Sequence, residues 1–88
     1  MTKMPRIDMR ATGRRIRELR LKNKLSAERL SDLLGFTSPR AVYRWQRGDM
    51  LPTLDNLIVL ASIFGTSMDS IVVTDEATDG AAATHRER

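Results

Sequence analysis

Residues 26–48, SAERLSDLLGFTSPRAVYRWQRG, constrain the fold of this chain more than any other stretch. They read as two short helices around a tight turn. Leu30, Leu33 and Leu34 make a compact apolar face that stops at Gly35, a position where a positive φ costs any other residue energy. Beyond Phe36 a second helix runs to about Arg47 and is stopped by Gly48. That second helix is two-sided. Val42 and Trp45 stand one turn apart on one side, while Arg40, Arg44 and Arg47 project from the other. One side is suited to a core and the other to an anion.

The chain has 88 residues and no cysteine, so it forms one domain with neither disulfides nor thiolate metal sites to support it. A domain this small buries only about 60% of its chain surface and must use its apolar residues economically. No run of about 18 apolar residues is present, and the basic start MTKMPRIDMR is not followed by the apolar stretch of a signal peptide. The expectation is a soluble, cytoplasmic protein.

Charge is distributed unevenly. Residues 1–48 hold 13 Lys and Arg against four acids, a surplus of +9, whereas residues 49–88 carry −5. An anionic partner is therefore expected at the N-terminal half. The surplus is a long-range attraction and not in itself a specific site.

Around the central pair the pattern is helical throughout. The first helix runs from about Asp8, a suitable N-cap, to Asn23-Lys24, with Thr12, Ile16, Leu19 and Asn23 on one stripe and Arg14, Arg15, Arg17 and Lys22 mostly off it. Ser26 caps the second helix. Thr37 or Ser38 can cap the third, with Pro39 in its first turn where no amide donor is needed. Thr53 caps a fourth helix whose Leu54, Leu57, Ile58, Leu60, Ala61, Ile63 and Phe64 are apolar through more than one face, which predicts a buried central element. Gly65 closes it, and Ser67 caps a short fifth helix from Met68 to about Val72. No strand pattern or internal repeat competes. Residues 1–7 read as a flexible N-terminal arm, residues 8–73 as the folded domain, and residues 74–88, with nothing apolar larger than alanine, as a disordered tail.

Five short helices with a basic third already suggest a helix-turn-helix module, and particular residues extend the comparison. GRRIRELR at 13–20, LSAERLSDLLGF at 25–36, VYRWQRG at 42–48, LPTLDNLIVLAS at 51–62 and GTSMDSIV at 65–72 resemble the Cro/repressor (XRE-like) helix-turn-helix family in order and spacing. The match covers about residues 9–73. The resemblance implies an all-α, compact five-helix domain like that of lambda repressor. In it Ser31, Gly35 and Val42 join the second and third helices, and Pro39, Arg40, Tyr43 and Arg44 contact DNA bases. The sequence departs from the family in three places. The span from Gly35 to Gly48 is one residue longer than usual. Ala27 stands where a glutamine often contacts phosphate, and Gln46 replaces the glutamate that usually pairs with an arginine at Arg20.

The residue chemistry agrees with that implication. Arg40 and Arg44 share a face at i,i+4, and the guanidinium fork can meet guanine O6 and N7 together, a contact worth about 1–3 kcal/mol of discrimination. The Tyr43 hydroxyl lies between them, within reach of a phosphate or a sugar. Thr37, Ser38 and the free amides of the third helix suit phosphate, as does Ser26 at the second. Arg47, Arg14, Arg15 and Asn56 are candidate flanking phosphate contacts. Trp45 reads as core, not as a stacking platform. His85 is the sole histidine and lies in the tail, so no metal site, cofactor or catalytic constellation is expected, and the chain is not expected to be an enzyme.

The expected function is a double-stranded DNA-binding transcriptional regulator, a repressor reading the major groove with the helix at 38–47. It would act as a homodimer joined through its C-terminal helices, for which Ile71, Val72 and Val73 offer an apolar run that otherwise caps the monomer core. The alternative is an antitoxin or other protein-interaction module in which the helical domain and tail bind a small protein partner.

Overall fold

The computed structural model of the protein describes residues 5–75. Four α-helices follow in order: α1 Met9–Lys22, α2 Ala27–Leu33, α3 Arg40–Arg47 and α4 Leu54–Phe64; a single 3-10 turn, Met68–Ser70, completes the series. The described residues are helical as expected, with no strand beyond one isolated antiparallel bridge between Ile7 and Thr74. The fifth helix is not formed. Ser67 accepts from the Ser70 amide at 3.3 Å and starts the turn, but the β-branched Ile71, Val72 and Val73 are poor helix formers. Val73 is also drawn out of the helical path by tertiary bonds: its carbonyl accepts from the Asp8 amide at 2.8 Å and its amide donates to Thr12 Oγ1 at 2.9 Å.

Those bonds bring the two ends of the domain together. The Asp75 amide donates to the Arg6 carbonyl at 2.9 Å beside the Ile7–Thr74 bridge. The arm expected over 1–7 therefore meets the segment expected as tail at 74–75. Residues 1–4 and 76–88, which hold the rest of both and include His85, lie outside the described residues.

Helix starts follow side-chain oxygens, with one exception. Asp8 accepts from the Ala11 amide and Ser26 from the Arg29 amide, both at 2.9 Å, and Thr53 accepts more weakly from Asn56 at 3.5 Å. At α3 Pro39 occupies the cap position (φ −83°, ψ 11°) instead of the first helical turn, and its side chain makes no capping bond. Ser38 is held out of the helix because it precedes a proline; its Oγ accepts from the Arg40 amide at 3.4 Å, a weak substitute.

All four α-helices end in the same double-bonded turn. At α2 the Gly35 amide donates to Asp32 O at 3.0 Å and the Phe36 amide to Ser31 O at 2.9 Å, with Gly35 at φ 82°. Gly48 and Gly65 repeat this at α3 and α4. Lys24 does so at α1 with φ 60°, and is the one non-glycine residue with a positive φ among the described residues.

The core gathers Ile16 and Leu19 of α1, Ala27 and Leu30 of α2, Val42 and Trp45 of α3, Leu60, Ala61 and Phe64 of α4, and Ile71. Ile71 is fully buried and Val72 and Val73 are half-buried, so this run closes the monomer core. Helices α1 and α3 touch at Gly13, where an added Cβ would lie 2.2 Å from the Trp45 carbonyl oxygen. Helix α4 departs from expectation: only Leu60, Ala61 and Phe64 are buried, while Leu54, Ile58 and Val59 are exposed. The shared core covers one side of this all-round apolar helix and leaves the other open. Leu33 of α2 is likewise exposed, and so is Asn23, which bonds back to the Leu19 carbonyl.

Candidate nucleic-acid interface

Helix α3 is seated by Val42 and Trp45, 0% and 2% exposed. The Phe36 ring meets Trp45 edge-on, with centroids 5.9 Å apart, and so fixes the turn against the helix. Ser31 of α2 is buried, and its hydroxyl donates to Ala27 O at 2.8 Å, which satisfies this buried polar group. Ala27 itself is core, so the position is apolar in this chain by packing.

The α1–α3 contact also depends on Arg20, which is 9% exposed. Its Nε donates to Gln46 Oε1 and its Nη1 to Leu25 O, both at 2.8 Å. The hydrogen bond expected between these two positions is present, and it holds the guanidinium between neutral acceptors. No ion pair among the described residues involves Arg20, so its charge adds to the positive potential of this side of the domain.

With Val42 and Trp45 turned inward, Arg40, Tyr43, Arg44 and Arg47 are all exposed along the outer face of α3. Arg40 is a ridge between two open clefts. The wider, about 500 Å³, is lined by Thr37, Ser38, Arg40 and Arg44 together with Phe36 and Met50. The narrower, about 370 Å³, is lined by Ser38, Pro39, Arg40, Tyr43 and Arg47. Every base-contact candidate, and three of the phosphate candidates, thus lies around one helix. Arg47 is paired on the surface with Asp49, Nε to Oδ2 at 2.9 Å. Such exposed pairs contribute only about 0–1 kcal/mol, so an incoming phosphate can displace it.

The other phosphate candidates are dispersed. Ser26 is at the exposed start of α2, Arg14 is exposed on α1, and Asn56 is in the first turn of α4; none lines either cleft. Arg15 is committed elsewhere: its Nε donates to Ser70 O at 2.8 Å and its Nη1 lies 3.5 Å from Glu18, which ties α1 to the 3-10 turn. Met50, in the loop between α3 and α4, also lines the wider cleft. Gly13 carries the one sequence signal for the α1–α3 approach, since an isolated glycine inside a helical pattern marks close backbone contact. No group of three or more metal-ligating side chains occurs among the described residues, and no helix among them is long and apolar enough to cross a membrane.

Residues 16–71 match the helix-turn-helix family model HTH_3. The chain belongs to the helix-turn-helix family. Among solved structures, the restriction-modification controller protein C.AhdI from Aeromonas hydrophila is 31% identical, with a TM-score of 0.66 over 73% of this chain and 96% of that one. The P22 c2 repressor, solved in complex with the synthetic operator 9T, is 32% identical, with a TM-score of 0.64 over 68% of this chain and 89% of its own. A substrate complex of FeII HppE is 25% identical, with a TM-score of 0.68 over 75% of this chain but only 38% of that longer one. No curated protein matches the chain in sequence. In helix-turn-helix terms, α2, the Gly35 turn and α3 are the helix-turn-helix itself, and α1 and α4 share its core.

Proposed function

We propose that this protein is a sequence-specific, double-stranded DNA-binding transcriptional regulator, acting as a repressor whose α3 enters the major groove. The observation that carries the reading is the outward face of α3. Four side chains able to bond bases or phosphates stand exposed on a helix whose other side is locked by Val42 and Trp45. Rigid seating matters because base readout needs a defined register, and a bidentate guanidinium tolerates little error in position. Arg40 and Arg44 read base edges. Arg47, released from Asp49, joins Thr37, Ser38 and Ser26 on the phosphates. Repression follows from occupancy, since a protein in the groove excludes polymerase from the same DNA.

Assembly as a homodimer is part of the proposal. The apolar surface proposed for it is that of Leu54, Ile58 and Val59 on α4, because Ile71 is already buried in the monomer core. A dimer places two α3 helices on half-sites about 34 Å apart, one turn of DNA.

Selection of binding sites from random duplex DNA tests the reading. A palindromic site should emerge, with affinity falling steeply as salt rises, at a slope near −0.9 per phosphate neutralised. Arg40→Ala or Arg44→Ala should relax preference at one base pair by about 1–3 kcal/mol, whereas Arg47→Ala should weaken all sequences alike. Absence of any enriched duplex, or base preference unchanged in both helix-face variants, rejects it.

A further inference from the structure

Among the described residues Arg20 is the only charged side chain that is buried, and none of the proposed DNA contacts uses it. Its Nε donates to Gln46 Oε1 and its Nη1 to Leu25 O, both at 2.8 Å. Both acceptors are neutral, and no ion pair among the described residues includes Arg20. A guanidinium that is hydrogen-bonded but not neutralised is held at a cost, because it has left water without gaining a counter-charge. A glutamate in place of Gln46 has the same length, can accept the same bond and would supply that charge. The chain carries the neutral amide at this position instead.

The position of the pair gives the missing charge a consequence. At about 100° per residue, Gln46 falls on the flank of α3, between buried Val42 and exposed Tyr43, and it is half-buried. Arg20 therefore stands beside this helix, within roughly one helix diameter, about 10 Å, of its arginine face. That distance is close to the Debye length of about 10 Å at 0.1 M salt, and charges inside a protein are screened less than exposed ones. The field of Arg20 thus reaches an anion bound on α3, whereas a carboxylate at residue 46 would cancel it.

We propose that Gln46 is an affinity-determining residue for DNA: it orients Arg20 without neutralising it, and so reserves a buried positive charge behind α3 for the DNA phosphates. Gln46 acts through Arg20 and touches no base, so it raises affinity for every sequence alike at some cost in stability. The inference rests on the DNA-binding role of α3.

Gln46→Glu in the full chain tests it, with melting followed by circular dichroism and affinity by fluorescence anisotropy. The probes are a duplex enriched by the wild type from random DNA and an unrelated duplex of the same length. The variant should melt at a higher temperature and yet bind both duplexes about three- to tenfold more weakly at 0.1 M salt, the effect of one unit charge at this range. The deficit should shrink as salt rises, and the preference for the enriched duplex should not change. A merely structural role moves stability and affinity in the same direction. Gln46→Met, neutral but without the strong acceptor, should reverse the pattern: lower melting temperature, with affinity close to wild type well below it. The proposal is overturned if Gln46→Glu binds as the wild type does, loses affinity equally at all salt concentrations, melts lower or does not fold. Any of these leaves the DNA reading standing, because the wild type still binds; a wild type that enriches no duplex defeats that reading itself.

Discussion

Helices α3 and α4 both turn one side into the same core, yet they differ in what they leave outside. Helix α3 buries Val42 and Trp45 and exposes Arg40, Tyr43, Arg44 and Arg47. Helix α4 buries Leu60, Ala61 and Phe64 and exposes Leu54, Ile58 and Val59, at 68%, 53% and 40%. Exposed arginine on a fixed helix is stable in water and attracts an anion. An exposed aliphatic cluster has no such ease, because each side chain forfeits the free energy of about 1.5–3 kcal/mol that full burial provides. The proposed partners of the two helices therefore differ: a polyanion for α3 and, for α4, a second copy of the chain.

Mutating matched positions can break this contrast. Trp45→Ala should lower unfolding free energy in urea by about 3–5 kcal/mol, since it empties a buried aromatic site between α1 and α3. An unchanged midpoint would mean that α3 is not anchored as described. Ile58→Lys should leave monomer stability within about 0.5 kcal/mol, as a surface change away from special features does, and yet abolish self-association in sedimentation at concentrations where the wild type is dimeric. A dimer that survives Ile58→Lys removes α4 from the interface.

Smaller effects sharpen the comparison at the helix ends. Lys24 holds a left-handed conformation that glycine occupies at the other three termini, at a cost of about 1–2 kcal/mol. Lys24→Gly should raise the melting temperature, with a stability gain of about 1 kcal/mol; a loss would show that the lysine side chain makes a compensating contact. The smallest effect is expected at Asp55. The Thr53 hydroxyl donates to its Oδ1 at 2.6 Å, and with the amides of Asp55 and Asn56 it holds the carboxyl below its ordinary value of 3.8. A depressed folded-state pKa means that this contribution is complete above the unfolded value and disappears as pH falls through the folded one. Asp55→Asn should therefore make the acid limb of the stability curve slightly shallower, and an identical limb would count against the bond.

Much of this was legible from residue order, where the controlling physics is local. Asp8, Ser26 and Thr53 start helices because a short oxygen-bearing side chain can satisfy an amide two or three residues on, and Gly35, Gly48 and Gly65 end them because the turn requires a positive φ. The two-sidedness of α3 follows from spacing alone. Legibility stops where a residue's surroundings come from distant chain. Arg14 and Arg15 are neighbours in sequence, and only the position of the 3-10 turn leaves one exposed and occupies the other with Ser70 O. Pro39 sits one place earlier than expected because of its effect on Ser38, a local rule whose outcome depends on how the longer turn closes.

Sequence by itself determined that the described residues are helical, where α1, α2 and α4 begin and where all four helices end, and that the third helix presents arginines opposite a tryptophan. These follow from backbone sterics and side-chain periodicity within a few residues. Tertiary structure alone decided that α4 keeps an open apolar face, that Ile71 belongs to the monomer, that Gly13 is the crossing of α1 and α3, and that Pro39 and Tyr43 close one cleft with Arg47. Burial is a property of how much surface the neighbours can cover, and no stretch of sequence contains its own neighbours.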